Sequence, residues 1–368
     1  MNGGKRIFIV VTHADLGGAQ MAALRLARGL RDRGHEPTVL FLYERHAVDA
    51  PDHPFEVLVP TSKPGVGGYF GIARRLFDRI RQDRPDLVLT FLPLAHVMGQ
   101  AMARTLGIRQ RIISHRTPPD TMHPLLQRLD SLWARCGFYT GVVAVSEGVR
   151  AKCGHYPREL RERTHVVHNG IRDWRPSSLT REEARDRFGV PRDAFLLVAV
   201  GRLAEQKNHA FMFRVVKQLS NVTLLVAGEG PLRLELEAMI TELRISDKVR
   251  LLGSVLRDDV RHLLAAGDVF VQTSTYEGQS NAILEALAAG LPVVAQDIPE
   301  QRETIADADG AVAGALVPLD DDAAWVAAIE RLRDDGQATQ AARATASRRS
   351  QAFSYDAMIG GFELAFGL

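Results

Sequence analysis

Two periodicities take turns along this chain. Short β-branched and apolar runs at 6–11, 37–42, 87–91, 111–114, 141–145 and 165–167 are separated by stretches with apolar residues every three to four positions, as at 19–31, 72–81 and 94–106. Runs of the first kind fit strands buried on both faces, and the second kind fits amphipathic helices. Their alternation at this spacing predicts βαβ units on a largely parallel sheet. Gly170, Pro176, two serines, a run of charge and Pro191 then break the rhythm, which predicts a linker over 171–192 with a short helix in it. The alternation restarts with strands at 195–200, 222–227, 249–252, 269–272 and 292–295 and helices at 208–219, 232–243, 258–266 and 281–289. The expected architecture is α/β, with two Rossmann-like doubly wound domains over 1–170 and 193–350. Ligands of such sheets bind outside the carboxyl ends of the strands, so two of them facing each other would form a cleft.

Composition narrows the class. With 368 residues, 46% hydrophobic and 24% charged, the chain has material for two cores and is not a disordered protein. Cys136 and Cys153 stand alone, without a CxxC or a Cys/His cluster, which argues against a disulfide framework or a structural zinc and for buried thiols in a reducing compartment. Lys5 and Arg6 precede an apolar run that is too short for a signal-peptide core, and no uncharged apolar stretch reaches about 18 residues. A cytoplasmic protein is expected. The net charge of +2 hides an asymmetry: residues 1–168 hold 24 Lys and Arg against 15 Asp and Glu, a balance of +9, and the remainder holds 22 against 29, a balance of −7. A basic half can face nucleic acid, an anionic membrane or a phosphorylated ligand.

Four segments carry candidate chemistry. After the first strand, Gly17 and Gly18 open a helix, where a phosphate can approach bare backbone N–H groups at the positive helix end; without a GxGxxG, a plain glycine turn explains them equally well. Past the strand at 195–200, Arg202 and Lys207 could clamp a pyrophosphate, the first as a fork and the second as a point charge. Gly228-Glu229-Gly230-Pro231 lacks a third glycine and reads as loop shaping rather than a hydride-cofactor turn. The densest signal runs from Tyr276 to Ala295: a loop with Glu277 and Gly278 enters a helix that Gly290 ends. Backbone N–H groups around Gly278, Asn281 and Ala282 would be free for an anion there, and Glu285 could accept from a diol. The plainer alternatives are a loop acid for Glu277 and helix-dipole placement for Glu285.

Taken together, Gly17-Gly18, AVSEGV within 143–149, HNGI at 168–171, GRLAEQKN at 201–208, GEGP at 228–231 and the glutamates Glu277 and Glu285 resemble the retaining nucleotide-sugar glycosyltransferases of family four, in order and over nearly the whole chain. The resemblance implies the GT-B fold: an acceptor-side first domain, a donor-nucleotide-binding second domain, and a C-terminal helix, 353–368, returning to the first. Arg202 and Lys207 would hold the donor pyrophosphate, Gly17 and Gly18 would border it, Glu285 would take the ribose hydroxyls, and Glu277 would lie by the donor sugar. His115, one of 12 histidines, stands where the family places a histidine close to the sugar, and His96 is a weaker candidate on the acceptor side. In such enzymes Arg and Lys stabilise the leaving diphosphate in place of a metal, so no metal or cofactor is expected. Asp307, Asp309 and Asp320 to Asp322 mimic a DxD but read as loop solvation and helix capping. The implied activity is sugar transfer from a nucleotide diphosphate, a UDP-sugar by family frequency, to an acceptor hydroxyl with retention. The route is open between same-face displacement and a covalent intermediate. The rivals are a GT-B-type epimerase and a catalytically silent sugar-nucleotide-binding subunit, with an NAD oxidoreductase more distant. Gln279-Ser280-Asn281, where the family continues with an apolar residue, and Pro299-Glu300, in place of a Gly-Gly pair, depart from the pattern and leave the donor sugar open.

The acceptor is expected to be a glycan or glycolipid presented at an anionic membrane, with no role for nucleic acid. At 71–84, Ile72, Leu76, Phe77 and Ile80 share one helical face while Arg74, Arg75, Arg79, Arg81 and Arg84 crowd the rest. Tyr69 and Phe70 precede this helix, and Arg128, Trp133 and Arg135 lie in the amphipathic stretch 125–139. One apolar stripe cannot serve both a core and a bilayer, so a core-facing helix is the competing expectation.

Overall fold

The computed structural model describes residues 4–15, 17–45, 54–62, 64–171 and 176–368. The chain forms two compact units, residues 1–172 with 355–368, and residues 173–354. The first unit holds seven strands: β1 (Arg6–Ala14), β2 (Glu36–Glu44), β3 (Glu56–Val59), β4 (Leu87–Phe91), β5 (Gln110–His115), β6 (Gly141–Ala144) and β7 (Thr164–Val166). They pair in parallel in the order β3-β2-β1-β4-β5-β6-β7. The second holds β8 (Phe195–Val200), β9 (Val222–Ala227), β10 (Val249–Gly253), β11 (Val269–Gln272), β12 (Val293–Gln296) and β13 (Gly314–Val317), in the parallel order β10-β9-β8-β11-β12-β13. Strand order therefore reverses between β1 and β4 in one sheet and between β8 and β11 in the other. At such switch points the loops leaving the carboxyl ends diverge and a ligand can enter.

The central strands are sealed on both faces. Ile7 to Val11 and Leu196 to Val198 are all inaccessible to solvent, which is why they appear as unbroken apolar runs rather than alternating ones. The strands β3 and β13 are absent from the expected set. Each is four residues long and lies at a sheet edge, where pairing with β2 or β12 rather than intrinsic pattern decides the conformation.

The helix Tyr355–Phe366 packs in the first unit, burying Met358, Ile359, Phe362 and Phe366 among β-strand residues and the helix Gly18–Asp32. Contact is close because Gly29 has no side chain: a Cβ there would lie 2.4 Å from Ile359. The Tyr355 hydroxyl donates to the Arg25 carbonyl at 2.7 Å. The unit boundary falls at Tyr355, two residues after the expected start at Phe353, whose ring stacks under Arg349 in the second unit.

The segment 171–192, expected to be a linker, becomes integral to the second unit well before its end. Thr180 and Glu183 form a reciprocal capping box on the helix Arg181–Arg187. Arg185 is buried, pairs with Asp268 at 2.6 Å and donates to the carbonyls of Pro191, Arg192, Ala194 and Ala266. Its charge density reads as solvated, yet one arginine reaching four carbonyls anchors the segment.

Candidate active site

In the second unit the loops after β8 and β11 are locked to each other and to the GEGP turn. Gly228 adopts φ 151°, and a Cβ on it would lie 1.9 Å from the Gly201 carbonyl oxygen; a Cβ on Gly230 would lie 2.2 Å from that of Leu203. The backbone N–H of Leu203 donates to Glu229 at 3.0 Å, and that of Leu232 donates back to Leu203 at 3.1 Å. The two glycines thus brace the loop that carries Arg202 and Lys207. A 3-10 turn, Glu205–Lys207, and left-handed Asn208 (φ 48°) lead into the helix His209–Gln218. The Thr273 hydroxyl donates to the carbonyls of Lys207 and Asn208 at 3.0 and 2.9 Å, and the Thr275 N–H donates to Gln206 at 2.8 Å.

These braces bring Lys207 and Glu277 together, with Nζ 2.6 Å from Oε1. The carboxylate is buried and its residue is only 7% exposed, so the pair is far less screened than a surface one. Gln272, the last residue of β11, orders the group: its Nε2 reaches Glu277 Oε1 at 3.5 Å and its Oε1 accepts from the Ser280 hydroxyl at 2.7 Å. Ser280 in turn caps the helix Asn281–Ala288 by accepting from the Ile283 N–H. Among the described residues, the backbone N–H groups of Gly278, Asn281 and Ala282 have no backbone partner. The core claims Ile283, Leu284, Ala286 and Leu287, which leaves Asn281, Ala282 and Glu285 on the partly exposed side of the helix. Arg202 is exposed, and its guanidinium makes no hydrogen bond or ion pair among the described residues. A lysine with spare donors, an uncommitted arginine and bare helix N–H groups suit an anion, and the paired carboxylate suits hydroxyl donors.

His209 lies behind this site. Burial, then the Lys207 charge, depress its pKa to about 4 against a hydrogen bond to the Arg202 backbone that raises it. Its Nε2 has no hydrogen-bond partner among the described residues and it borders a void of about 10 Å³ shared with Lys207, Met212, Gln272 and Thr273, room for one water molecule.

In the first unit Gly17 caps the helix Gly18–Asp32 without a side-chain bond, and its first turn carries no acid. His115 closes β5 and is 2% exposed. Its Nε2 lies 2.7 Å from the Tyr156 hydroxyl, which donates to Asp130 Oδ2, while the Tyr139 hydroxyl donates to Asp130 Oδ1 at 2.9 Å. His96 meets the His115 ring edge to face at 5.2 Å, and its Nδ1 is 2.9 Å from the Thr90 hydroxyl. Burial lowers both histidine pKa values, with the neighbouring histidine adding to the shift of His96. Arg116, the next residue after His115, donates to Asn169 of the HNGI run and lies over Phe91; burial pulls its pKa down to about 9.

The expected site residues therefore fall into two sets. The second unit holds Arg202, Lys207, Glu277, Gly278, Asn281, Ala282 and Glu285, of which Lys207 and Glu277 touch; the first holds Gly17, Gly18 and His115. Sequence reasoning missed Gln272, Ser280, Asp130 and Tyr156. Only Gln272 left a signal, as the polar end of an apolar strand. The DxD-like aspartates have structural tasks: Asp307 accepts from Asp309 and Ala311 and pairs with Arg348, and Asp321 caps the helix Asp322–Asp334.

Two open parallel sheets, the second with Arg202, Lys207 and Glu277 at its switch point, have the architecture of the GT-B glycosyltransferases. The chain belongs to the glycosyltransferases: residues 16–175 match Glycosyltransferase Family 4, and residues 180–349 match Glycosyl transferases group 1. Among curated proteins it is 28% identical over 335 residues to the lipopolysaccharide core biosynthesis glycosyltransferase LpsD of Rhizobium meliloti, covering 87% of this chain and 85% of that one. Solved structures that share the fold include the following two. HepE of Anabaena in complex with UDP-glucose aligns with a TM-score of 0.83 at 22% identity, over 99% of this chain and all of that one. WaaG, a glycosyltransferase involved in lipopolysaccharide biosynthesis, aligns at 0.76 and 18% identity, over 98% of this chain and all of that one.

Proposed function

We propose that this glycosyltransferase moves a sugar from a UDP-sugar to a hydroxyl of a glycan or lipid-linked acceptor, with retention at the anomeric carbon and without a metal. The observation that carries this reading is the buried Lys207–Glu277 pair beside exposed Arg202 at the switch point of the second sheet. Charge builds on the diphosphate as the glycosidic bond breaks. Arg202 and Lys207 stabilise it without proton transfer, assisted by the N–H groups of Gly278, Asn281 and Ala282. In the first unit, Gly17 and Gly18 offer helix N–H groups of the kind that suits a phosphate. Glu285 accepts from the ribose hydroxyls and Glu277 from the donor sugar, while His115 contacts a sugar hydroxyl. A UDP-glucose complex of a protein with the same fold supports the donor class, and a relative in lipopolysaccharide core biosynthesis supports the acceptor class.

Attachment to an anionic membrane surface is part of the proposal, by a narrower route than the sequence suggested. Ile72, Leu76 and Ile80 are fully buried against Phe8, Leu40 and Leu58, so the apolar stripe of the helix Val66–Asp83 serves the core. Trp133 is also committed, stacked on Phe138 and bonded to the Val97 carbonyl. In and around these two basic stretches the large apolar side chains exposed among the described residues are Tyr69, Phe70, Leu125 and Leu132, accompanied by exposed Arg74, Arg128 and Arg135. Among the described residues no helix is long and apolar enough to cross a membrane.

A thermal-shift panel of nucleotide sugars tests the donor assignment. A ligand at about 100 times its dissociation constant adds roughly 2.7 kcal/mol, so UDP and one or more UDP-sugars should raise the melting temperature while NAD should not. A response to none of the nucleotides would overturn the reading. Co-sedimentation with anionic vesicles at low salt, lost at high salt, is the outcome expected for the surface.

A further inference from the structure

We propose that Asp130 and Tyr156 are positioning residues that hold His115 in one tautomer, with the proton on Nε2 and the lone pair on Nδ1, ready to accept a hydrogen bond from a substrate hydroxyl. The last step rests on the reading of His115 given above; the tautomer itself does not.

A count of protons leads to the assignment. A carboxylate only accepts, and Asp130 is filled from two sides, by the Tyr139 hydroxyl on Oδ1 at 2.9 Å and by the Tyr156 hydroxyl on Oδ2. A phenol has one proton. With that proton committed to Asp130, the Tyr156 oxygen can only accept from His115 Nε2, 2.7 Å away. The imidazole therefore carries its proton on Nε2. Burial keeps the ring neutral at ordinary pH, so Nδ1 keeps its lone pair and has no hydrogen bond among the described residues.

The surroundings leave this arrangement little freedom. Asp130 lies on the helix Pro124–Arg135, Tyr139 precedes β6, and Tyr156 follows the turn Cys153–His155, so three segments converge on one carboxylate that is 1% exposed. The nearby Cys153 thiol, its pKa pushed up to about 12 by burial and by Asp130, adds no second negative charge. On the other flank His96 meets the ring edge to face, itself bonded to Thr90, whose oxygen accepts from Gln100 at 3.0 Å. His115 ends β5, at the carboxyl edge where a parallel sheet presents ligand groups. An acceptor nitrogen fixed there costs no tautomer change when a hydroxyl arrives, which is the advantage of preorganisation.

Nitrogen-15 NMR of the histidine-labelled full chain tests the proposal, with His115 assigned by the signal lost in His115→Gln. The expected wild-type spectrum shows His115 neutral with a protonated Nε2. Asp130→Asn presents an amide that can donate to the phenol oxygen and free the phenol proton for His115, so it should shift the ring toward the Nδ1–H form. Tyr156→Phe should yield a mixture and lower kcat about tenfold, the equivalent of one hydrogen bond, with a smaller change in donor KM. Loosened packing alone would not invert a tautomer. An Nδ1–H wild-type ring, or a tautomer indifferent to both variants, would overturn the proposal. If the tautomer behaves as expected but His115→Gln transfers sugar at the normal rate, the positioning stands and the sugar-contact reading of His115 falls.

Discussion

The two units build their polar clusters by opposite means. In the second, the charge stays accessible: Lys207 pairs with a buried glutamate but keeps spare donors, and Arg202 faces solvent without a side-chain partner among the described residues. In the first, the cluster is buried and its reactive member neutral, with His115 and His96 desolvated and the carboxylate of Asp130 saturated by tyrosines. A dissociating diphosphate needs net positive charge, which must stay hydrated until the ligand arrives. A hydroxyl-contacting imidazole needs a fixed lone pair, which burial and a hydrogen-bonded chain supply. Two sheets of one topological kind thus carry unlike polar clusters because the residues at their carboxyl edges differ.

The largest expected effect probes the charged side. Lys207→Ala or Arg202→Ala should lower turnover at saturating donor by about two orders of magnitude, the consequence of losing one preorganised donor to a developing charge. The Lys207 variant also leaves buried Glu277 without its cation, so a melting curve must accompany the kinetics; the variant at exposed Arg202 should leave stability unchanged. Near-normal turnover in both variants would remove the contrast between the units.

The neutral side is sharpened by acid. His96, His115 and His209 all have folded pKa values below the ordinary histidine range, so the unfolded chain takes up protons first as pH falls. Their stabilisation is complete above about pH 6.5 and is lost below it, down to each folded pKa, which for His209 is about 4. For His209 this amounts to about 2 kcal/mol between pH 7 and pH 5. Denaturation midpoints should fall over that interval in the wild type and more shallowly in His209→Gln; equal slopes would show that His209 is solvated in the native state.

Smaller effects separate the two glutamates. Glu285→Gln should weaken UDP and a UDP-sugar alike, by about tenfold for one charged acceptor lost. Glu277→Gln should weaken the UDP-sugar more than UDP. Calorimetry showing equal losses for Glu277→Gln would detach it from the sugar.

How much of this was legible in the sequence follows from what each feature depends on. The strands sealed on both faces, such as Leu87–Phe91 and Phe195–Val200, stand out because burial imposes an unbroken apolar run. The four-residue edge strands Glu56–Val59 and Gly314–Val317 do not, since a neighbour's register creates them. The glycines at 228 and 230 could be read as loop shaping, and the structure supplies the reason in their approach to Gly201 and Leu203. The Lys207–Glu277 contact spans 70 positions, and the sequence points to a separate role for each residue rather than to a pair. Asp130 and Tyr156 were invisible. An aspartate on an amphipathic helix reads as a solvated charge, and only the packing of Tyr139 and Tyr156 onto it turns it into a buried acceptor. The basic helix Val66–Asp83 was ambiguous for a defined reason: hydrophobic periodicity states that a face is covered, not by what.

If the second unit is the nucleotide-diphosphate site, calorimetric titration of UDP into the full chain shows it most directly. The arginine–lysine double variant, Arg202→Ala with Lys207→Ala, should lose about a hundredfold in UDP affinity or more, as two charge-assisted contacts disappear, while His115→Gln in the first unit should bind UDP as the wild type does. Undiminished UDP binding by the double variant, or a loss confined to His115→Gln, would contradict it.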